Sequence, residues 1–336
     1  MKRRAVSGFI LAGVLLAALV VVVGGREVID QITAADRRML WLGVLSGTLA
    51  LTFRGLVWGR FVTLVDDAIS RGRVVTIFLT AMFLKYVTPY GQVATEPLVA
   101  HLVARDGEMA FEDGLASVLS ADFVNYVPYY TFGFIALGLV VFDGTLGSGM
   151  LSRLLAFCGL FGVLLSTVYV VTRRPEVVYG ITLAGSKPIR RLTGVFTDRF
   201  DDRLEPRVIR SRLDGFYGTL DAISGDRRTL AVGTVYAHCG MLFLMLPVYL
   251  GGVALGYRIA LPVVALVVAL GKLGSVLPSP GGTGGVEAIV AASLVAFAGM
   301  TEAPALTVAF IYRLSTYWLT IAIGGVAASG LTIDRP

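Results

Sequence analysis

The sequence predicts an all-α polytopic membrane protein with about six full transmembrane helices and two re-entrant broken hairpins. Hydrophobic residues make up 56% of the 336 residues. Charged residues make up only 15%, whereas soluble proteins carry about 25%. The mean hydropathy is +0.78. This composition excludes a water-soluble fold and a disordered chain, and the long uncharged runs exclude an outer-membrane barrel, whose strands alternate.

Six apolar runs are long enough to cross a bilayer, which takes about 20 residues. The first follows the basic start Lys2-Arg3-Arg4 and has no small-residue cleavage site behind it. We therefore predict a retained span rather than a signal peptide. The fifth run is predicted to contain a turn at Gly251-Gly252, and the sixth is interrupted only by Arg313. The six runs are 5–23, 39–59, 114–142, 154–172, 229–257 and 303–329.

Two further regions are apolar but broken by Pro and Gly. Residues of these types at such density end a helix. In lipid, a broken backbone is tolerated only inside protein or against a water-filled cavity. Both regions are therefore predicted to be re-entrant hairpins. Their helix, break and helix are 74–84, 88–92 and 97–104 in the first region, and 259–277, 278–285 and 286–300 in the second.

Lysine and arginine positions set the expected orientation. The only long polar segment, 173–228, carries 12 Lys/Arg and 8 Asp/Glu and is typical of an amphipathic connector on the membrane surface. The N-terminus and the 60–73 loop are also basic. Placing all three in the cytoplasm is self-consistent and puts both termini on the cytoplasmic side of the cell membrane. The predicted organisation is one membrane domain, 1–336, made of a first half at 1–172, a cytoplasmic basic connector at 173–228 and a second half at 229–336.

An internal repeat relates the two halves at an offset of 191 residues. Rare intramembrane charges coincide at this offset, which is harder to explain by chance than matching glycines. The topology would make the halves inverted repeats, as in many secondary transporters. The coinciding positions are Pro89-Tyr90-Gly91 with Pro280-Gly281-Gly282, Glu96 with Glu287, Asp122 with Arg313, Tyr126 with Tyr317, and Gly133 with Gly324.

Charged residues inside the apolar segments are the main functional candidates. A charge at the bilayer centre costs several kcal/mol, so such residues usually pair and face a cavity. Asp122 and Arg313 are predicted to form a buried ion pair across the repeat axis. Arg54 and Lys272 have an alternative role as snorkelling side chains near the interface. The seven charges are Arg54, Lys85, Glu96, Asp122, Lys272, Glu287 and Arg313.

The Gly-rich second break suggests a headgroup site. Free backbone N–H groups at a helix start can bind phosphate, and glycines let a ligand approach closely. Glu287 could then hold an amine, which favours a zwitterionic or amine-bearing headgroup. The alternative for Glu96 and Glu287 is complementing the dipole of the helix that each begins. The predicted cavity residues are Lys85, Pro89, Gly91, Glu96, Asp122, Pro280, Gly281, Gly282, Gly284, Gly285, Glu287, Arg313 and Tyr317.

Other residue types carry less chemistry. Two cysteines and two histidines cannot build a metal site at ligand spacing, so no metal or cofactor is expected. No nucleic-acid module is visible. His238 is interpreted as a hydrogen-bonded core residue. The tryptophans are interpreted as anchors at the ends of spans; they are Trp41, Trp58 and Trp318.

Two motifs resemble a known family. Pro280-Gly281-Gly282-Thr283-Gly284-Gly285-Val286-Glu287 is similar to the P-G-G-x-G-x-x-E signature of the lysylphosphatidylglycerol synthase transmembrane region. Tyr312-Arg313, followed by Tyr317-Trp318, is similar to its Y-R-x-x-x-(Y/F)-W segment. The stretch from Pro89 to Glu96 resembles the family's weaker first-half motif, with Thr95 in place of the usual Gly.

The resemblance implies a flippase-like domain that moves a phospholipid or a polyprenyl-linked lipid between leaflets. Enzymatic members of the family carry a separate soluble domain, and no polar segment of this sequence is long enough to be one, so their activity is not expected. Two alternatives stay open: a membrane partner of a lipid-modifying or glycosylating enzyme, and a membrane-embedded enzyme that uses Glu96 and Glu287 as acid and base. The oligomeric state is not predicted.

Overall fold

The computed structural model describes residues 25–107, 109–142, 150–180, 182–184 and 206–333. The predicted first span, 5–23, and part of the basic connector lie outside these residues. The described chain is overwhelmingly helical. The first half contains α1 (Gly25–Ala34), α2 (Arg37–Val65), α3 (Arg71–Val87), α4 (Gly91–Ala94), α5 (Glu96–Asp106), α6 (Phe111–Phe142) and α7 (Met150–Arg173).

The connector and the second half continue the helical pattern. The amphipathic segment forms α8 (Pro206–Gly225). It is followed by α9 (Arg227–Ala254), α10 (Leu261–Gly271), α11 (Gly285–Ala298), α12 (Glu302–Arg313) and α13 (Leu319–Ile333). Short 3₁₀ turns cover Lys272–Val276 and Pro280–Gly282, and a π-helical turn covers Leu314–Trp318 between α12 and α13.

Within the described residues, five helical segments are long and apolar enough to cross a membrane: Arg37–Val65, Phe111–Val140, Arg227–Ala254, Pro280–Ala298 and Glu302–Leu331. Four of them coincide with predicted crossings. The remaining segment, Pro280–Ala298, contains most of the second break and the helix after it. The sequence predicts a re-entrant hairpin for both. Leu261–Val276, the helix before that break, is apolar but shorter. The predicted span 154–172 falls within α7.

The predicted turn at Gly251-Gly252 is wrong. Helix α9 continues through both glycines to Ala254, and the chain turns at Gly256, which has a φ of 83°. Both glycines allow close packing instead. A Cβ on Gly252 would lie 2.6 Å from the Ile259 side chain, and one on Gly251 would lie 3.3 Å from Ile311. A glycine pair in a membrane helix therefore marked a helix contact.

The helix bounds of the two halves coincide at the 191-residue offset. Adding 191 to α2 gives 228–256, where α9 spans 227–254. Adding 191 to α5 gives 287–297, within α11 at 285–298. Adding 191 to α6 gives 302–333, the bounds of α12 through α13. Adding 191 to α3 gives 262–278, where α10 and its 3₁₀ turn span 261–276.

Packing between the halves follows the same correspondence. Helices α2 and α9 make the most extensive contact, and they are counterparts. Helix α3 of the first half packs on α13 of the second half. Its counterpart α10, in the second half, packs on α6 of the first half. The last residues of α6 are in turn the counterpart of α13. Gly324 makes the first contact possible, because a Cβ there would lie 2.5 Å from the Leu79 carbonyl oxygen. In each half, the helix before the break therefore packs on a helix of the other half.

The two ends of the first broken segment lie close together. Arg73, in the first turn of α3, donates through Nε to Asp106 at the end of α5 over 2.6 Å. Ser70 caps α3 by accepting from the Arg73 backbone N–H over 3.3 Å. At the opposite end of the hairpin, Gly91 packs so closely on α3 that a Cβ would lie 2.0 Å from the Lys85 carbonyl oxygen. The chain therefore reverses direction between α3 and α5 over a short turn.

Helix α6 and its counterpart, the continuous stretch of α12 and α13, each contain an irregular feature at an equivalent point. Helix α6 contains Pro128, which lacks a backbone N–H. Its counterpart at the 191-residue offset is Leu319, the residue directly after the π-helical turn Leu314–Trp318. Proline and π-turns are the two commonest causes of local deviation in helices.

Candidate functional site

The two breaks border one cavity of about 430 Å³. Tyr90 and Gly91 come from the first break, and Ser279, Gly281 and Gly282 come from the second. The remaining walls come from α3, α6, α7 and the 3₁₀ turn that follows α10; their residues are Lys85, Tyr126, Tyr130, Val163, Thr167, Lys272, Ser275 and Val276. Of the predicted cavity residues, Lys85, Gly91, Gly281 and Gly282 line it directly.

The α7 side of the cavity is directed outward. Val163 and Leu155 are 64% and 63% exposed, and Tyr169 is 55% exposed. An apolar exposed helix face in a membrane protein is suited to lipid tails. The cavity therefore has the two breaks on one side and an apolar, exposed helix on another, and most of its accessible lining is apolar.

The first charged cluster is centred on Lys85, which is buried. Its Nζ lies 2.8 Å from Glu96 Oε1 and forms a very close ion pair with Asp122. Asp122 also accepts a hydrogen bond of 2.8 Å from Trp58 Nε1. Glu96 Oε2 is buried and has no hydrogen-bond partner in the described residues. Two carboxyl groups thus share one lysine.

The second charged cluster is centred on Glu287, which is also buried. Its Oε1 accepts from Arg313 Nε over 2.9 Å, and its Oε2 accepts from the Gly284 backbone N–H over 2.8 Å. Arg313 also donates to the Gly281 carbonyl oxygen over 3.0 Å and to Thr283 Oγ1 over 3.3 Å. Glu287 therefore caps α11 and anchors Arg313 to the break at the same time.

The predicted Asp122–Arg313 ion pair is wrong. Each charge pairs inside its own half: Asp122 with Lys85, and Arg313 with Glu287. Because a buried charge needs a partner at contact distance, a counter-charge supplied locally removes any need for a pair across the axis. That Glu287 holds a substrate amine stays a prediction; the two donors it already has are Arg313 and the Gly284 backbone N–H.

The remaining predicted residues lie at or beside the two breaks. Tyr317 is buried, packs its ring under Arg313 at 3.9 Å and reaches the Pro280 carbonyl oxygen at 3.3 Å. Pro280, Gly284 and Gly285 are buried. A Cβ on Gly285 would lie 2.6 Å from the Gly274 carbonyl oxygen. Pro89 is half-buried beside Tyr90. These residues shape the break rather than line the cavity.

Arg54 and Lys272 form no ion pair with any carboxylate in the described residues. Lys272 Nζ lies 4.3 Å from the Tyr126 ring centroid and 5.7 Å from that of Tyr129. Arg54 donates weakly to Met82 Sδ over 3.8 Å, and its Nε is buried without a hydrogen-bond partner in the part of the chain that is described. Lys272 thus lies against the aromatic side chains of α6, and Arg54 lies against α3.

Sequence reasoning misassigned one residue of the site. Trp58 was interpreted as an interfacial anchor, but it is fully buried and holds Asp122. Trp41 and Trp318 are 72% and 50% exposed, as anchors would be. The position of Trp58, four residues after the intramembrane Arg54 and therefore on the same helix face, was the available signal. His238 bonds the Thr234 carbonyl oxygen through Nδ1 over 2.8 Å, as expected for a core histidine.

The apolar helices and the buried ion pairs define a multi-pass integral membrane protein. The chain belongs to the family of the lysylphosphatidylglycerol synthase transmembrane region, whose model matches residues 8–324. It is similar to a UPF0104 membrane protein of Methanothermobacter thermautotrophicus, with 24% identity over 97% of this chain and 95% of the relative. A UPF0104 membrane protein of Pyrococcus horikoshii is 22% identical over 94% of each chain.

Proposed function

We propose that the protein is a lipid translocase that moves a phospholipid or polyprenyl-linked lipid between leaflets. The observation that carries this proposal is the single cavity bordered by both broken hairpins and by the exposed face of α7. Its volume of about 430 Å³ lies in the range of ligand pockets, about 300–1,000 Å³. A headgroup fits such a volume while the acyl or prenyl chains remain in the bilayer beside α7.

The repeat supports an alternating mechanism. Coinciding helix bounds and exchanged hairpins are what two inverted repeats would produce. The Arg73–Asp106 contact supports a first hairpin that returns to its own side. In this proposal the second hairpin does the same from the other leaflet, and both termini and the connector 173–228 are cytoplasmic in the cell membrane. The two breaks then meet at the cavity from opposite sides.

The proposed activity is transport without chemistry on the headgroup. Glu287, one member of the acid–base pair in the enzyme alternative, has a donor on each carboxylate oxygen, from Arg313 and from the Gly284 backbone N–H. The other member, Glu96, keeps one oxygen without a hydrogen-bond partner in the described residues. The contacts of Glu287 therefore favour transport over acid–base chemistry by this pair. A lipid-modifying enzyme or a glycosyltransferase would then be a partner that supplies or consumes the lipid.

A reconstituted transport assay tests the proposal. Purified protein in vesicles with a fluorescent lipid should expose inner-leaflet probe to an external quencher faster than empty vesicles do. Val276→Trp should slow this exchange, because Val276 lines the cavity and is 63% exposed, so a larger side chain fills space without disturbing packing. Val235→Trp is the matched control, since Val235 is 59% exposed on α9 and away from the cavity.

Equal rates for protein-containing and empty vesicles would contradict the proposal, as would equal slowing by both variants. Mass spectrometry of the recovered lipid separates transport from chemistry. An altered headgroup would favour the enzyme alternative, and an unaltered one is expected.

A further inference from the structure

The intramembrane charges of the described chain do not balance. Four cations, Arg54, Lys85, Lys272 and Arg313, stand against the three carboxylates Glu96, Asp122 and Glu287. Lys85 and Arg313 engage all three carboxylates. The excess positive charge is therefore located on the two cations that have no carboxylate partner, Arg54 and Lys272.

Of these two cations, Lys272 lies on an aromatic wall of the cavity, and Arg54 lies against the helix that carries this wall. Lys272 lines the cavity and lies over the rings of Tyr126 and Tyr129. Arg54 is on α2 beside this wall, because Asn125, the residue before Tyr126, donates through Nδ2 to the Arg54 carbonyl oxygen over 3.3 Å. Arg54 and Lys272 are within electrostatic reach of each other, and both are within reach of Asp122. Two like charges within reach of each other repel, so the arrangement is stabilised when an anion enters.

The buried Nε of Arg54 is an independent observation pointing to a ligand. Burying a donor without an acceptor is unfavourable, more so when the group is charged, and native structures keep few such donors. The hydrogen bond that this guanidinium does make goes to the Met82 thioether sulfur, a weak and neutral acceptor. Phosphate oxygens are strong acceptors for arginine and lysine donors.

We propose that Lys272 and Arg54, with the tyrosine wall formed by Tyr126 and Tyr129, are an anion subsite that binds the phosphate group of the transported lipid and selects headgroups with net negative charge. A zwitterionic or amine-bearing headgroup would bring a third positive charge next to the two that are already there. The cavity therefore favours a phosphatidylglycerol-like or polyprenyl-phosphate-like lipid. The assignment of the anion to a lipid rests on the proposed function. The inference that an anion binds here rests on the two cationic side chains alone.

Binding is tested separately from transport. In detergent, a short-chain phosphatidylglycerol should raise the Tm of the protein more than a short-chain phosphatidylcholine does. Lys272→Gln should abolish that difference, Lys272→Arg should retain it, and Arg54→Gln should reduce it if the variant folds. Arg207→Gln, which removes a positive charge from the exposed surface of α8, is the matched control and should behave as wild type.

Transport in vesicles provides the second measurement. Wild type should move fluorescent phosphatidylglycerol faster than fluorescent phosphatidylcholine by about tenfold, because opposite charges at contact distance away from bulk water are worth at least that factor. Lys272→Gln should bring the ratio close to one. If neither lipid moves but the binding difference is present and lost in Lys272→Gln, the translocase proposal fails and the anion subsite stands.

Two outcomes overturn the subsite. Equal stabilisation by both lipids in wild type would show that the cavity does not select negative charge, and an unchanged difference in Lys272→Gln would locate selectivity elsewhere. Inorganic phosphate alone distinguishes the source of the anion. If it stabilises wild type as strongly as the lipid and the lipid adds nothing, the site binds a soluble anion and the lipid assignment is wrong.

Discussion

Tyr90 and Gly281 occupy equivalent positions in the two halves and share a left-handed backbone, with φ values of 55° and 56°. Tyr90 is the one non-glycine residue with positive φ among the residues that the structure describes. A side chain in this conformation costs roughly 1–2 kcal/mol. The first break therefore keeps the geometry of the second at an energetic cost, while placing a tyrosine in the cavity wall.

Gly281→Ala should destabilise the protein strongly. The left-handed backbone costs alanine roughly 1–2 kcal/mol. The new Cβ would also lie 2.1 Å from Tyr317 Cε2, so the ring must move. Such overpacking adds about 1–3 kcal/mol. Gly299→Ala is the matched control, because Gly299 has a φ of 63° and a Cβ added there would have nothing within 4 Å. Similar Tm losses for the two variants would mean that the Tyr317 contact is unimportant.

Lys85→Met should be among the most damaging single changes, since it leaves Glu96 and Asp122 buried without a cation. Losing one partner of a buried pair costs about 3–5 kcal/mol. Adding Asp122→Asn should recover part of the loss, because one of the two unpaired charges disappears. A double-mutant cycle on thermal stability measures this coupling.

The cycle for Asp122→Asn with Arg313→Gln serves as the comparison. These residues share no partner in the described chain, so their losses should add within about 0.5 kcal/mol. Strong coupling between them, with none between Asp122 and Lys85, would contradict the pairing seen in the structure.

Glu287→Gln should lower the Tm more than Glu96→Gln does. Both oxygens of Glu287 are engaged, one by Arg313 and one by the Gly284 backbone, and a neutral amide cannot accept from both. Glu96 has one bonded oxygen, and Lys85 keeps Asp122 after the change. A larger loss for Glu96→Gln would indicate that its second oxygen has an essential partner. Any effect on transport must be compared at equal amounts of folded protein.

Cavity access can be measured by cysteine labelling. Tyr90 and Val276 are 62% and 63% exposed and line the cavity, so cysteines there should react with small aqueous thiol reagents. Cysteines at Thr95 and Val286 should be protected, since these positions are 4% and 7% exposed.

The native cysteines must first be replaced, because Cys158 is exposed and Cys239 is half-buried. Protection of both Tyr90→Cys and Val276→Cys would show that water does not reach the cavity. Labelling at Thr95→Cys with equal speed would show that the break itself opens.

Local sequence signals predicted the helices and their breaks well. Apolar run length and the Pro-Gly clusters placed the ends of α3 and α11 within a few residues, because both signals act through the backbone of the residues that carry them. The glycines at 251–252 led to a wrong prediction of a turn, because their effect depends on a neighbour that is distant in the sequence. Glycine permits a turn and permits close packing equally, and only the neighbour, Ile259, decides between them.

Charge pairing could not be predicted from the repeat. The counterpart of Lys85 at the 191-residue offset is Val276, so symmetry contains no hint that Lys85 would take both carboxylates of its half. The involvement of Trp58 depends in the same way on how α2 packs against α6. Rare charges identified which residues matter, while their partners depended on tertiary contacts.

Pro128 and the π-turn at Leu314–Trp318 have a mechanical consequence. Each one removes or lengthens α-helical hydrogen bonds at the same repeat position of a long helix. Bending at that turn gives up fewer backbone hydrogen bonds than bending anywhere else along either helix. The two long helices therefore have a compliant turn at corresponding places, and a bending load on either helix would be taken up at that turn.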